Sequence, residues 1–391
     1  MVPSSPSLTA NWNYPTRMHL GAGRIQEIAA ICTEHGMSRP LVVTDTGAAS
    51  LPFTAQIMEL LTEAGLKAGL YSNVPSNPTD ASITEGTDLY RDGDYDGVIA
   101  LGGGSGLDAG KAIALLAGQG RPLADFEDVG DNWLRADANR IAPVIAVPTT
   151  AGTGSEVGRA SVITFTATHE KKIIFHPKMM PVAVISDPVL TVGLPAHLTA
   201  ATGVDAFTHC FEAFCAPSYH PMADGIALEG MRLIKDWLPV AYREGTNVTA
   251  RTHMLTAASM GATAFQKGLG AVHALSHPVG AVYNAHHGLT NAIFLPYVMQ
   301  ENRPLIAAKM ERLAAYLDLG QNGFNEVLDW VLAFRESLGI PHDAKSLGIK
   351  DADIPDLALA ATLDPSMAGN PKPLNIDTVQ KLYSSAILGN L

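Results

Sequence analysis

Four residues with metal-binding side chains stand in two stretches that are rich in small residues. Asp205 and His209 lie four positions apart in TGVDAFTHCFEAF, so on a helix they share one face and are one turn apart. His273 and His287 belong to the second stretch, GLGAVHALSHPVGAVYNAHHGL. One carboxylate and three imidazoles suit a divalent transition metal such as Fe²⁺ or Zn²⁺. Such an ion can act as a Lewis acid on an alcohol or carbonyl oxygen.

The second stretch holds more histidines than a site with three imidazoles needs. His277 shares a helical face with His273 and therefore also qualifies as a ligand, whereas the adjacent His286 and His287 cannot both point the same way on a regular element. A structural zinc site is the main alternative to a catalytic ion. Such sites more often use thiolates in CxxC spacing, which this sequence lacks, so a catalytic ion is favoured.

The composition indicates an enzyme-sized protein with a large apolar core. Its 391 residues predict two domains, and 47% are hydrophobic while 16% are charged. A net charge of −12 without a basic run argues against nucleic acid or an anionic membrane as a partner. Three cysteines form no disulfide framework, the first fourteen residues do not look like a signal peptide, and no apolar run is long enough for a membrane span. We therefore expect a soluble, cytoplasmic protein.

The order of apolar runs predicts two different halves. Buried β-type runs alternate with helices in the first half, which is typical of a parallel sheet built from βαβ units. The expected elements are strands at 40–45, 66–75, 97–104 and 143–149, with a helix at 52–64. The stretch 183–200, which contains three helix-breaking residues, predicts the crossing into an all-helical half. The sequence thus predicts a Rossmann-like α/β domain at 1–190 and an all-α metal-binding domain at 191–391.

A glycine turn follows the predicted strand at 97–104. Glycines there let the backbone approach a pyrophosphate, and the N-terminus of the next helix favours its negative charge. A Walker A loop is missed at two places, Ser105 and Ala112, and the dinucleotide fingerprint is matched only loosely. On the turn alone, a glycine-rich connection without any ligand stays open.

Two further segments favour a nucleotide. The loop PTTAGTGSE offers the hydroxyls of Thr149, Thr150, Thr153 and Ser155 directly after a buried strand. Asp45 ends another predicted strand, where a carboxylate can accept hydrogen bonds from a ribose 2′-hydroxyl and would repel a 2′-phosphate. Asp45 therefore predicts NAD over NADP, although a helix N-cap explains the residue equally well.

Together these motifs resemble those of the iron-containing (group III) alcohol dehydrogenases. The similarity covers almost the whole chain through GGGSGLDAGK, PTTAGTGSE, DPVLTVGLP, GVDAFTHCFE and VHALSHPVGAVYNAHHGLTNAIFLP. It implies an N-terminal nucleotide domain, a helical metal domain and an active site in the cleft between them. The resemblance implies as metal ligands Asp205, His209, His273 and His287. It makes His277 a catalytic residue that faces the nicotinamide and substrate, and so leaves it out of the ligand set.

The resemblance also implies which residues contact the cofactor, NAD. Gly103, Gly104 and Ser105 would meet the pyrophosphate, and Asp108 would lie at the start of the following helix. The other implied cofactor residues are Asp45, Thr149, Thr150, Thr153 and Lys171.

The activity that follows is metal-dependent, NAD-linked interconversion of a small alcohol and its aldehyde, by a homodimer or higher oligomer. Four protein ligands favour Fe²⁺ over Zn²⁺, since the ion must accept one ligand more. One departure from the family pattern is His286, where many members have proline. Another is Lys267, a cation that would favour a substrate with a carboxylate, such as a semialdehyde, unless it simply faces solvent.

Two other functions fit parts of the pattern. A metal- and NAD-dependent lyase of the dehydroquinate synthase type has a similar two-domain plan, but it needs a basic pocket for a multiply anionic substrate. Clustered arginine and lysine are missing around the metal motifs. A binding protein that has lost its activity is the third alternative, and no position in the metal or nucleotide motifs indicates decay.

Overall fold

A computed structural model describes residues 16–168, 170–320 and 322–391. The expectation that the chain lacks a signal peptide rests on residues that lie outside this description. The chain divides into an N-terminal unit, Pro15–Gly193, and a second unit that contains Leu194–Leu391.

The N-terminal unit is built on a parallel sheet with helices between the strands. Its sheet strands are β1 Arg17–Leu20, β2 Pro40–Asp45, β3 Gly69–Val74, β4 Gly97–Gly102, β5 Val144–Pro148 and β8 Ala183–Ser186. The strand order is β1-β8-β5-β4-β2-β3, and every neighbouring pair is parallel. Its α-helices are α1 Ile28–Glu34, α2 Pro52–Glu63, α3 Asp80–Asp92 and α4 Gly104–Ala117.

The order of the strands brings together the nucleotide-binding segments that the sequence predicts, at the carboxyl edge of this sheet. Strands β2, β4 and β5 are adjacent and parallel, so their carboxyl ends meet there. The chain runs outward from β2 on one side and from β4 on the other, which makes this edge a topological switch point. Ligands of open α/β sheets bind at such points.

The sequence did not predict every strand of this unit. It missed β1, it read β8 as part of the crossing into the second half, and it missed an antiparallel pair, β6 Ala160–Phe165 and β7 Glu170–Phe175. The strands β1 and β8 have four residues each, too few for a periodic signal. The pair β6–β7 is half-buried and mixes polar with apolar residues, so it lacks the continuous apolar run of the central strands.

Among its described residues, the regular elements of the second unit are all helices, and the predicted fold class is confirmed. Its α-helices are α5 Ala196–Cys215, α6 Pro221–Arg243, α7 Val248–Ala264, α8 Ala271–Tyr283, α9 His287–Tyr316, α10 Phe324–Ser337, α11 Ile354–Leu363 and α12 Ile376–Leu388. Among the described helices, none combines the length and the apolar character that a membrane span requires.

Helix α5 is the centre of this unit and packs against α6, α7 and α9. Each of these neighbours meets α5 with a glycine. A Cβ at Gly230 of α6 would lie 2.6 Å from Cys210 Sγ, and one at Gly261 of α7 would lie 3.1 Å from the Ala206 carbonyl oxygen. The backbones therefore approach closely, which holds polar side chains of different helices within reach of one another.

Helix α9 contains two prolines, Pro296 and Pro304, and a side chain of α10 compensates for the first. Pro296 has no N–H group, so the carbonyl of Ala292, four residues earlier, loses its helical donor. The buried Arg335 of α10 donates to the carbonyls of Ala292 at 2.9 Å and Ile293 at 3.1 Å. The Arg335 side chain thus replaces the missing backbone donor, and α9 continues on both sides of Pro296.

Candidate functional site

The four metal-binding residues predicted from the sequence lie together in the helical unit. Asp205 and His209 project from α5, His273 from the first turn of α8, and His287 is the first residue of α9. Each offers one ligand atom, and these atoms all lie within 4.8 Å of one another. The Nε2 atoms of the three histidines are 3.7–3.9 Å from Asp205 Oδ1.

The orientation of His273 is fixed by Glu212, a buried residue of α5. The Nδ1 atom of His273 lies 2.6 Å from Glu212 Oε2, which leaves Nε2 turned toward Asp205. The backbone N–H groups of Gly270 and Val272 also donate to this carboxylate, at 2.9 and 2.7 Å. A carboxylate behind a ligating imidazole selects its tautomer and raises its basicity.

The protonation states in this cluster suit a divalent cation. Burial holds the pKa of His273 well below its usual range, and the charge of the neighbouring His209 lowers it further, so the His273 imidazole is neutral at pH 7. Burial raises the pKa of Glu212 to about 7, although the N–H groups of Val272 and Gly270 act to lower it. A neutral imidazole with its Nε2 lone pair turned inward is the form that binds a metal. The residues present therefore fit the ion that the resemblance implies.

His277 does not belong to the cluster of four but lies beside it. Its ring is 5.4 Å from the ring of His287 between centroids, and its Nδ1 atom lies 2.8 Å from Asp364 Oδ2. Burial acts to raise the pKa of Asp364, but the charge and hydrogen bond of His277, together with hydrogen bonds from Ser366, outweigh it, so this pKa lies below its usual range. Because Asp364 is an ionised acceptor, it favours a proton on Nδ1, so Nε2 is the nitrogen that can take up or release a proton.

Lys267 is not where the sequence suggested. Its side chain is 1% exposed, and Nζ is bonded to the carboxylate of Asp224 at 2.5 Å and to the Phe214 carbonyl at 3.3 Å. The residue therefore neither faces solvent nor offers a free cation. Its ammonium group donates to a backbone carbonyl at the C-terminal end of α5. Lysines commonly bond to the last carbonyls of a helix in this way. The hypothesis that Lys267 selects carboxylate substrates is not supported.

In the N-terminal unit, the glycine turn and the hydroxyl-rich loop lie side by side. The N–H group of Thr149 donates to the Gly102 carbonyl at 2.9 Å. A Cβ at Gly103 would lie 3.2 Å from Thr150 Oγ1, and one at Gly104 would lie 2.8 Å from Thr153 Cγ2. Among the described residues, no side chain caps the N-terminus of α4. The N-terminus of α4 and these threonine side chains are therefore neighbours, an arrangement that suits an anion.

The two carboxylate oxygens of Asp45 make different contacts in the structure. Its Oδ1 atom accepts hydrogen bonds from the N–H groups of Gly47 and Ala48, at 2.9 and 3.0 Å, which closes the turn after β2. Asp45 is not the helix N-cap that the sequence left open, because the N-cap of α2 is Leu51. Its Oδ2 atom borders the glycine turn, since a Cβ at Gly102 would lie 2.9 Å from it. Gly102 has φ of 131°, a conformation that L side chains rarely adopt.

The remaining predicted cofactor residues are held by other parts of the chain. The carboxylate of Asp108 accepts from Ser155 Oγ and from the Val162 N–H group, so it ties α4 to the hydroxyl-rich loop and to β6. Ser105 Oγ donates to the Ser76 carbonyl. Lys171 Nζ donates to an asparagine side chain at 3.0 Å, and burial lowers the pKa of Lys171 to about 8.

Three residues near the metal cluster were not singled out in the sequence. Glu212 follows Asp205 and His209 on α5 at helical spacing, and Asn291 follows His287 by one turn, so periodicity could have found both. Asp364 is 87 residues from His277, and no local pattern connects them.

Comparison with known families identifies the chain. The model of the iron-containing alcohol dehydrogenases matches residues 15–188, and the C-terminal model of the Fe-containing alcohol dehydrogenase family matches residues 199–387. The chain therefore belongs to the iron-containing alcohol dehydrogenase family and is an oxidoreductase, which confirms the resemblance seen in its motifs.

Individual relatives are similar to this chain over almost their whole length. The chain is 37% identical over 387 residues to the 4-hydroxybutyrate dehydrogenase of Cupriavidus necator, covering 96% of this chain and 99% of the relative. It is 33% identical to the NAD-dependent methanol dehydrogenase of Bacillus methanolicus, covering 96% and 100%. The crystal structure of a 1,3-propanediol oxidoreductase superposes with a TM-score of 0.92 at 31% identity, covering 97% of this chain and 100% of that structure. The alternative of a dehydroquinate synthase-type lyase is not favoured.

Proposed function

We propose that this chain is an Fe²⁺-dependent, NAD(H)-linked dehydrogenase that interconverts a short primary alcohol and its aldehyde. The observation that carries the proposal is the convergence of one carboxylate and three imidazoles from α5, α8 and α9. When bound, the ion supplies Lewis-acid chemistry and NAD⁺ supplies the hydride acceptor. Fe²⁺ is preferred over Zn²⁺, because four protein ligands already complete a tetrahedral site.

The ligands of the ion would be Asp205, His209, His273 and His287. Glu212 holds His273 in the ligating tautomer, and the burial of the cluster strengthens its electrostatic interactions. The same burial excludes water from three of the four ligand side chains, while His287 keeps partial exposure and marks the open side of the cluster.

His277 is the candidate proton carrier. Oxidation of an alcohol moves one hydride to NAD⁺ and releases the hydroxyl proton, which needs an acceptor. With Nδ1 donating to Asp364, the free lone pair of His277 is at Nε2. In aldehyde reduction the same nitrogen returns the proton. Asp364 is then the residue that fixes the ring orientation and its tautomer.

The nucleotide would be bound by the carboxyl edge of the parallel sheet. Pyrophosphate contacts are proposed for Gly103, Gly104 and Ser105. Further cofactor contacts are proposed for Thr149, Thr150, Thr153 and Lys171. Asp108 supports these contacts by holding the hydroxyl-rich loop against α4.

The substrate class follows from chemistry and from the relatives. The names of the relatives specify 4-hydroxybutyrate, methanol and 1,3-propanediol, all short molecules with a primary hydroxyl group. Phe265 lies 5.2 Å from the ring of His209 between centroids and offers an apolar surface near the cluster. We propose a short, unbranched primary alcohol, with a carboxylate-bearing semialdehyde as one member of the test panel. A cytoplasmic homodimer is proposed with it.

The decisive test is NADH oxidation by metal-stripped protein, followed by absorbance, with and without added Fe²⁺ or Zn²⁺. We expect turnover with short aldehydes only after an ion is restored, and higher rates with Fe²⁺. Absence of turnover with either ion across neutral and acidic aldehydes would refute the proposal.

The choice of NAD over NADP is tested at Asp45. We expect Asp45→Asn to raise kcat/KM for NADP⁺ about tenfold or more, because the repulsion of a 2′-phosphate is removed and about 1.4 kcal/mol corresponds to a factor of ten. The asparagine Oδ1 can still accept from Gly47 and Ala48, so the fold is preserved. Asp45→Ala is the comparison, since it also removes the two hydrogen bonds that close this turn and should lower the melting temperature. Equal NADP⁺ kinetics in wild type and Asp45→Asn would contradict this role.

A further inference from the structure

Asn291 occupies an unusual place in the helical unit. It lies on α9 one turn after His287, and its side chain is fully buried. Its Nδ2 atom is 2.7 Å from Asp205 Oδ1 and 3.1 Å from the Nε2 atoms of both His273 and His287. One amide nitrogen therefore touches three of the four atoms that would hold the ion.

Of the two polar atoms of the Asn291 amide, only the nitrogen has hydrogen-bond partners among the described residues. Its nitrogen faces the cluster, whereas its Oδ1 atom is buried and has no hydrogen-bond partner among the described residues. A buried acceptor without a partner lowers the stability of the fold. The amide thus carries an energetic cost, and its donor is directed at the cluster.

We infer that Asn291 is a positioning residue of the metal centre, which rests on the proposed function above. Its N–H group donates to Asp205 Oδ1 and holds the carboxylate in the rotamer that faces the three imidazoles. Without this bond, Asp205 would have to be reoriented when the ion arrives. Hydrogen bonds to ligating carboxylates commonly change metal affinity by 10–100-fold.

The same geometry distinguishes a role in the metal site from a role in folding. Replacement of Asn291 by leucine keeps the branched shape of the side chain, removes the donor to Asp205 and removes the unpartnered oxygen. The loss of a donor to the buried Asp205 carboxylate lowers stability and the loss of the unpartnered oxygen raises it, so metal affinity is the deciding measurement and should fall. A residue that served only the fold would change stability when replaced and leave the metal affinity of the folded protein unchanged.

The experiment is a competition titration of the metal-free full chain with Co²⁺ against a chelator, together with thermal unfolding of the metal-free protein. For Asn291→Leu we expect a 10–100-fold weaker Co²⁺ affinity at a temperature where thermal unfolding shows the metal-free variant to be folded. Asn291→Ala, which fits the same space without repacking, gives the same comparison if the leucine variant does not fold.

A matched control is Thr208→Val on α5, between the two ligands of that helix. Thr208 is fully buried, and its hydroxyl bonds only to the Val204 carbonyl at 2.8 Å among the described contacts, so this variant should bind Co²⁺ like wild type. Wild-type affinity in both Asn291 variants, with binding lost in His273→Ala, would overturn the inference alone. If wild type and His273→Ala bind Co²⁺ equally, the proposed metal centre itself is wrong.

Discussion

Replacement of His273 by alanine is expected to abolish stoichiometric metal binding and to lower kcat/KM by about a thousandfold or more. The other ligands would be left with a gap on the side of α8, and the hydrogen bond from Nδ1 to Glu212 would be lost. Lewis-acid stabilisation by a metal is worth several kcal/mol, and each 1.36 kcal/mol corresponds to a factor of ten in rate.

The measurement is metal content after dialysis, together with aldehyde-dependent NADH oxidation at saturating Fe²⁺. His253→Ala is a matched control, since His253 lies in the same unit but stacks on Trp237 at 4.4 Å between centroids. NADH binding, measured by fluorescence without aldehyde, should be unchanged in both variants because the nucleotide edge belongs to the N-terminal unit. If His273→Ala retained one ion per chain and normal turnover, the ligand set would be wrong.

The sequence predicted the parts of this site that depend on local spacing. Asp205 and His209 are readable as one helical face because their separation matches one turn, and the glycine turn after β4 is readable because its strand is a continuous apolar run. Glu212 lies on the same face and could have been included by extending the same argument.

The parts that depend on packing could not be read from the sequence. Asp364 reaches His277 only because α8 meets the turn that follows α11. Lys267 stands near His273 in sequence, yet its direction is set by Asp224 and the end of α5, which oppose a substrate role. Sequence proximity gives neither the direction of a side chain nor its partners.

Gly288 is the residue whose substitution should most affect the metal cluster without changing any ligand. It follows His287 in the first turn of α9, where a Cβ would lie 2.4 Å from the Ala201 carbonyl oxygen and 3.1 Å from Asp205 Cβ. The first contact is with backbone, so it cannot be relieved by a side-chain rotation. In Gly288→Ala the start of α9 must therefore move away from α5.

That movement carries His287 away from Asp205, whose ligand atoms lie 3.7 Å apart. Metal sites need their ligands within about 0.5 Å of the productive geometry, so we expect Gly288→Ala to lose at least about tenfold in metal affinity. Overpacking should also lower the free energy of unfolding by about 1–3 kcal/mol. The two effects would be measured by Co²⁺ competition and by urea unfolding of the metal-free protein.

Gly225→Ala on α6 is the control, because a Cβ there meets nothing within 4 Å. Alanine is the better helix former, so this variant should gain about 0.5–1 kcal/mol in stability and keep its metal affinity. The comparison separates loss of a glycine in general from loss of this close approach. Wild-type metal affinity in Gly288→Ala would mean that the separation of α5 and α9 does not set the ligand geometry, and the glycine after His287 would then serve only helix packing.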